Sequence, residues 1–92
     1  MSVTLTDADQ VDRTLRAVLV DVLGLHRGQV EHFTESTPLF GALPEFDSLA
    51  VAGLLTELEE RLGITIEDED VDADMLETFG ALLAFAKDKV LQ

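Results

Sequence analysis

The sequence predicts an all-α domain, and three observations carry that prediction. Apolar residues make up 47% of the 92 positions, and the five aromatic residues are all Phe, so a core has to be built from Leu, Val, Ile and Ala. That palette suits packed helices better than a β-sandwich. Apolar residues recur at helical spacing in three stretches, the first two closed by Gly24 and Gly63. Three substantial helices, one minor helix and a long first loop would close one core, as a single domain over residues 1–92.

Residues 1–6 read as a short disordered start. The first helix is expected from Thr6 or Asp7, with Asp7, Asp9 and Asp12 near its positive N-terminal end. Val11, Leu15, Val18, Leu19, Val22 and Leu23 form its apolar face, and Arg13, Arg16 and Asp21 fall on the wet side. Residues 25–46 are a long connection holding Gly28, Pro38, Gly41 and Pro44, without a sustained period. Its scattered Leu25, Val30, Phe33, Leu39, Phe40 and Leu43 are expected to pack down on the helices. A loop this long in a small domain points to function.

The second helix has the clearest signals. Asp47 is its N-cap and Ser48 its first residue, with Phe46 and Val51 placed as a hydrophobic staple. Val51, Leu54, Leu55, Leu58 and Leu62 form the stripe, and Glu57, Glu59, Glu60 and Arg61 face mostly solvent. Ile64 and Ile66 anchor a short extended piece. A short helix or turn is expected around Asp70–Met75, and the last helix from near Thr78. The final helix draws its apolar surface from Phe79, Leu82, Leu83, Phe85, Ala86 and Val90. Leu49, at the entry of the second helix, is counted among the packing residues of the core.

The net charge is −13, from 19 acids and 6 bases. It is uneven: residues 1–46 hold seven acids and three bases, residues 47–92 twelve and three. Such a surface repels nucleic-acid phosphates and anionic membranes, and attracts partners with basic patches. One-signed charge also favours a monomer. The chain has no Cys, which excludes disulfides, thiolate catalysis and Cys-bound metals. Neither a secretory signal nor a membrane-spanning stretch is legible, so a cytoplasmic location is expected.

The chemistry concentrates at Phe46-Asp47-Ser48-Leu49. A Ser at the start of a helix, after a flexible Gly/Pro-containing approach, presents its hydroxyl at the surface. The free N–H groups and dipole there favour a phosphate, against which the Asp47 carboxylate acts at close range. Local chemistry alone favours the plainer reading, in which Asp47 is a cap and Ser48 a solvated first-turn residue, since Asp-Ser-Leu is only a three-residue signal.

From Thr37 to Ala84 the chain resembles the acyl and peptidyl carrier family. The resemblance rests on Pro38-Leu39-Phe40, then Asp47-Ser48-Leu49, then the Leu54/Leu58/Leu62 stripe closing in Glu59-Glu60-Arg61-Leu62-Gly63-Ile64. Ile66, the acidic stretch Asp68–Asp70 and Thr78-Phe79 follow in family order. It implies a four-helix bundle with a long first loop and a short third helix. A phosphopantetheinyl transferase would move 4′-phosphopantetheine from coenzyme A onto Ser48, flanked by Asp47 and Leu49. The arm's thiol would then hold an acyl group as a thioester, and the carrier itself would catalyse nothing. The absence of His, Cys or Lys near Ser48 in sequence agrees with that. Asp47, Glu57, Glu59 and Glu60 would be read by basic patches on the transferase, the loading ligase or transferase, and downstream synthase enzymes. Ala50 and Gly53 stand where many members carry acids, which favours a dedicated enzyme set. A start at Met1 and an end soon after the last helix favour a freestanding carrier.

Other readings compete. A peptidyl or aminoacyl carrier of a specialised pathway would look alike, and a non-covalent acidic adaptor is permitted by composition. Asp68, Asp70 and Asp72 have the spacing of a calcium loop, but Ala73 and Phe79 occupy its Gly and Glu positions. His26 and His32 in the long loop lack the company an enzyme or metal site requires, and a surface or packing role is expected for both.

Overall fold

The computed structural model describes residues 7–91. The reading of residues 1–6 as a disordered start lies outside them. Five α-helices follow in order: α1 (Asp7–Leu23), α2 (Arg27–Glu31), α3 (Ser48–Leu62), α4 (Ala73–Glu77) and α5 (Phe79–Leu91). A 3-10 turn spans Asp68–Asp70. No strand forms among the described residues; the only pairing of that kind is an isolated bridge between Pro38 and Thr78. The expected four-helix bundle is α1, α3, α4 and α5, and α2 is an extra turn inside the long loop.

α1 is the centre of the bundle and packs against α3, α5 and α2. Its spacing explains why. Val11, Leu15, Val18, Leu19 and Leu23 are all buried, a stripe wide enough to face two helices at once. α3 answers with Leu54 and Leu58, fully buried, while Val51, Leu55 and Leu62 close the edges. α5 contributes Phe79, Leu82, Leu83 and Ala86, and α4 contributes Met75 and Leu76. Truncating a fully buried Leu of this kind costs about 2–5 kcal/mol, so the stripe positions are the fold's main support.

Arg16 departs from expectation. Helical spacing puts it on the wet side of the first helix, yet its guanidinium is half-buried and ties three elements together. Nη1 donates to the Val30 carbonyl at 2.6 Å and Nη2 to the Phe33 carbonyl at 3.2 Å. Nε pairs with Asp12 one turn back. The long stem lets a charge reach over an apolar edge while still satisfying its donors.

The long connection is more ordered than its lack of period suggests. α2 occupies five residues of it, with Val30 buried, and Leu25, Phe33 and Leu39 are buried too. Backbone bonds then stitch the loop to the α4–α5 junction: Leu39 N–H to Glu77 O (2.8 Å), Phe40 to Leu76 (3.0 Å), Phe79 to Thr37 (2.9 Å) and Gly80 to Glu35 (2.9 Å). Gly80 is required there. A Cβ at that position would lie 2.7 Å from the Glu35 carbonyl oxygen, well inside contact distance.

The ends of the helices follow local chemistry. Gly63 closes α3 with φ 65°, a left-handed conformation that suits glycine, and its N–H bonds the Glu59 carbonyl. The minor helix expected around Asp70–Met75 begins later, at Ala73, because Asp72 accepts from Met75 N–H at 2.9 Å and caps it. Asp70 instead belongs to the preceding 3-10 turn, in a capping box with Glu67, and pairs with Lys89 of α5 at 2.6 Å. Thr78 starts the last helix as expected: its Oγ1 accepts from Ala81 N–H at 3.1 Å.

Candidate functional site

Ser48 is the first residue of α3 and its side chain is exposed. Asp47 has extended backbone (φ −99°, ψ −175°), and its Oδ1 accepts from Ala50 N–H at 2.9 Å. Its carbonyl accepts from Val51 N–H at 2.9 Å, opening the intrahelical ladder. This leaves the Ser48 and Leu49 N–H groups, which by helix geometry have no intrahelical acceptor. Two free donors and the positive helix end thus surround an exposed hydroxyl. That is a suitable setting for a phosphate ester on Ser48.

The approach to Ser48 is pinned, contrary to the flexible Gly/Pro approach the sequence suggests. Leu39 and Phe46 are buried at its two ends. Between them Leu43 N–H bonds Leu39 O (2.9 Å) and Phe46 N–H bonds Leu43 O (3.0 Å). The staple pattern holds as placement, with Phe46 buried and Val51 half-buried against the core. A single well-defined loop therefore fixes where Ser48 stands.

Two apolar residues correct the sequence reading. Leu49, counted with the core, is 84% exposed. It lies on the outer face of α3, at helical spacing from the exposed Ala52, Thr56 and Glu60, while Ala50 and Val51 beside it pack on the core. Phe40, expected to pack down, is 42% exposed and meets Phe46 edge-on, with ring centroids 5.7 Å apart. The exposed serine thus stands in a neighbourhood with apolar surface, and no signal in the sequence separated Phe40 from its buried neighbours.

The acidic candidates divide. Asp47 and Glu60 are exposed. Glu57 is half-buried and pairs with Arg61 at 2.8 Å, and Arg61 also reaches Asp21 of α1 at 2.8 Å. Those two acids hold the Arg61 proton more tightly than usual, first through Asp21 and then through Glu57. Glu59 turns inward and its Oε2 accepts from Ile66 N–H at 2.8 Å, which caps the chain leaving α3.

The rival sites take structural places. Asp70 and Asp72 are caps, and no group of three potential metal ligands occurs among the described residues. His26 and His32 are exposed; His32 Nδ1 lies 2.6 Å from the Gly28 carbonyl, at the end of α2.

A small helical bundle that presents an exposed serine at a capped helix start fits a carrier domain. Comparison with known proteins agrees. The model of the phosphopantetheine attachment site family matches residues 13–86. A holo acyl carrier protein from Nitrosomonas europaea, determined by solution NMR, is similar in structure with a TM-score of 0.79 and 34% identity. The match covers 90% of this chain and 98% of that one. A search of curated proteins finds no match. The chain belongs to the phosphopantetheine-binding family of acyl carrier proteins, whose cofactor is covalently bound 4′-phosphopantetheine.

Proposed function

We propose that Ser48 is the attachment point, and that the chain is an acyl carrier shuttling thioester-bound intermediates between biosynthetic enzymes. The observation that carries this is the exposed Ser48 hydroxyl beside two uncapped N–H groups at the start of α3. Attachment joins Ser48 Oγ to the phosphorus of the arm as the pyrophosphate bond of coenzyme A breaks. The serine proton passes to a base of the transferase and adenosine bisphosphate leaves. The arm, when bound, supplies a thiol for thioester formation. This chain's own part is to hold Ser48 on a fixed loop, with Asp47 capping the helix and Leu49 exposed for partners to grip.

Recognition is assigned to Asp47 and Glu60, which are exposed, with Glu57 and Glu59 contributing where partners reach past their internal bonds. The partners are a phosphopantetheinyl transferase, an acyl-loading ligase or transferase, and synthase enzymes with basic patches. A dedicated enzyme set is supported by the packing at positions 50 and 53. Ala50 is half-buried against the core, and a Cβ at Gly53 would lie 3.3 Å from Val22 Cγ1 of α1. Long acidic side chains are thus disfavoured where many family members carry them. We place the whole chain as a single carrier domain, monomeric and cytoplasmic. No described helix is long and apolar enough to cross a membrane.

Peptide mapping tests the attachment point. Trypsin cuts after Arg27 and Arg61, giving one peptide that holds both Ser36 and Ser48. Fragmentation of that peptide from holo protein is expected to place the arm on Ser48. Placement on Ser36, or an unmodified peptide from fully loaded protein, would overturn the assignment.

A further inference from the structure

The bases of this acidic chain are not evenly spread. There are six, and Arg13, Arg16 and Arg27 all line one open groove of about 520 Å³ between α1 and α2. Ala17, Val20 and Val30 supply its apolar floor, and Asp21 and Glu31 its acids.

The charges in the groove are not equivalent. Arg16 is committed to Asp12 and to two backbone carbonyls. Asp21 is engaged from the other side by Arg61 of α3. Arg13 and Arg27 are exposed and enter no ion pair among the described residues, and Glu31 lines the same groove. Exposed arginines flanking an apolar floor suit a ligand with carboxylates at its rim and an aliphatic side chain at its centre. Nucleic acid and anionic lipid fit poorly, because the rest of a −13 chain repels an extended anion. A short acidic segment meets the local charge without bringing a large anionic surface.

We propose that the α1–α2 groove is a second docking face, which binds a short acidic and aliphatic segment of a partner protein through Arg13 and Arg27. Its preference is opposite in sign to that of the α3 surface around Ser48. A partner with a basic patch beside its active site and an acidic segment elsewhere would grip the carrier at both faces, and the two contacts together would set its orientation.

The test is a nuclear magnetic resonance titration of the nitrogen-labelled full chain with a short synthetic peptide alternating pairs of Glu and Leu, at low salt. Its counterpart with Gln for Glu is the control, and the double variant R13Q/R27Q is run beside wild type. Saturable amide shifts are expected around Arg13, Ala17, Val20, Arg27 and Val30. They should weaken by roughly tenfold or more with the Gln peptide and with the double variant. The variant should keep its helical circular dichroism and accept phosphopantetheine as wild type does, which separates this face from the Ser48 assignment. Absence of saturable shifts, shifts confined to α3, or equal binding of the Gln peptide would overturn the proposal. So would concentration-dependent dimerisation of wild type through this face, since the occupant would then be a second copy.

Discussion

The Arg16 guanidinium on α1 lies over the ring of Phe79 at the start of α5, 4.5 Å from its centroid. The same ring meets Phe33 edge-on, with centroids 6.0 Å apart and planes at 62°. One cation thus joins the central helix, the end of α2, the long loop and the last helix. The loop that carries the chain towards Ser48 is fastened at this point.

Arg16→Met should accordingly loosen the loop as well as lower stability. It removes the donor serving the Phe33 carbonyl and one of those serving the Val30 carbonyl, which keeps the Phe33 N–H, and an unsatisfied part-buried carbonyl costs about 1–3 kcal/mol. For a domain of this size that is a fall in Tm of roughly 4–8 °C per kcal/mol. Arg16→Lys should rescue little, because an ammonium cannot serve two carbonyls and an aromatic face together. Thermal melts check both, and amide exchange at residues 30–40 should accelerate in step. A melt unchanged in Arg16→Met would show that the clamp contributes nothing.

Much of the fold was legible in the sequence, and the exceptions share a cause. The α1 and α3 stripes follow from periodicity, and the Asp47 cap and the Gly63 stop follow from local chemistry that needs no distant partner. Arg16 and Glu59 were read as surface residues because helical spacing places them beside charged neighbours. Their partners lie 14 and 7 residues away, in segments without a period. Leu49 reads as core because it is apolar beside a stripe, although helical spacing puts it on the outer face with Ala52, Thr56 and Glu60. At the site, Ser48 and Asp47 were legible from spacing and resemblance. The pinning of their loop was not, since it depends on burial of Leu39 and Phe46, on turn bonds between them and on backbone bonds from residues 35–40 to the α4–α5 junction.

Two glycines should respond differently to alanine. Gly80→Ala places a methyl 2.7 Å from a backbone oxygen, which cannot swing aside, so the stitch between loop and α5 should open at a cost of about 1–3 kcal/mol. Gly53→Ala meets only the Val22 Cγ1 methyl, at 3.3 Å. The helix gains about 1 kcal/mol in propensity, so the net change should be small. Urea unfolding of both variants checks the contrast, and equal destabilisation would contradict it.

The Asp70–Lys89 pair should make stability depend on pH on the acid side. Lys89 chiefly, with the Glu67 N–H, holds the Asp70 carboxyl below its ordinary 3.8. A carboxyl depressed in the folded state stabilises the fold above its unfolded value, and that contribution is lost as pH falls through the folded value. Lys89→Met should therefore lower Tm at neutral pH, with the gap to wild type closing below about pH 4. A gap that persists at lower pH would assign the effect to lost packing of the lysine stem.

Charge repulsion predicts a response to ions. Residues 47–92 hold twelve acids and three bases, so moderate salt or magnesium should raise Tm by screening. Melts across a salt series check this, and an unchanged or lower Tm would contradict it.

The most direct test of the carrier assignment is intact mass. Purified protein is incubated with coenzyme A, magnesium and a promiscuous phosphopantetheinyl transferase, beside Ser48→Ala. Wild type should gain the mass of one phosphopantetheine and the variant none, with both showing the same helical circular dichroism. A gain in Ser48→Ala, or none in wild type, would contradict attachment at Ser48.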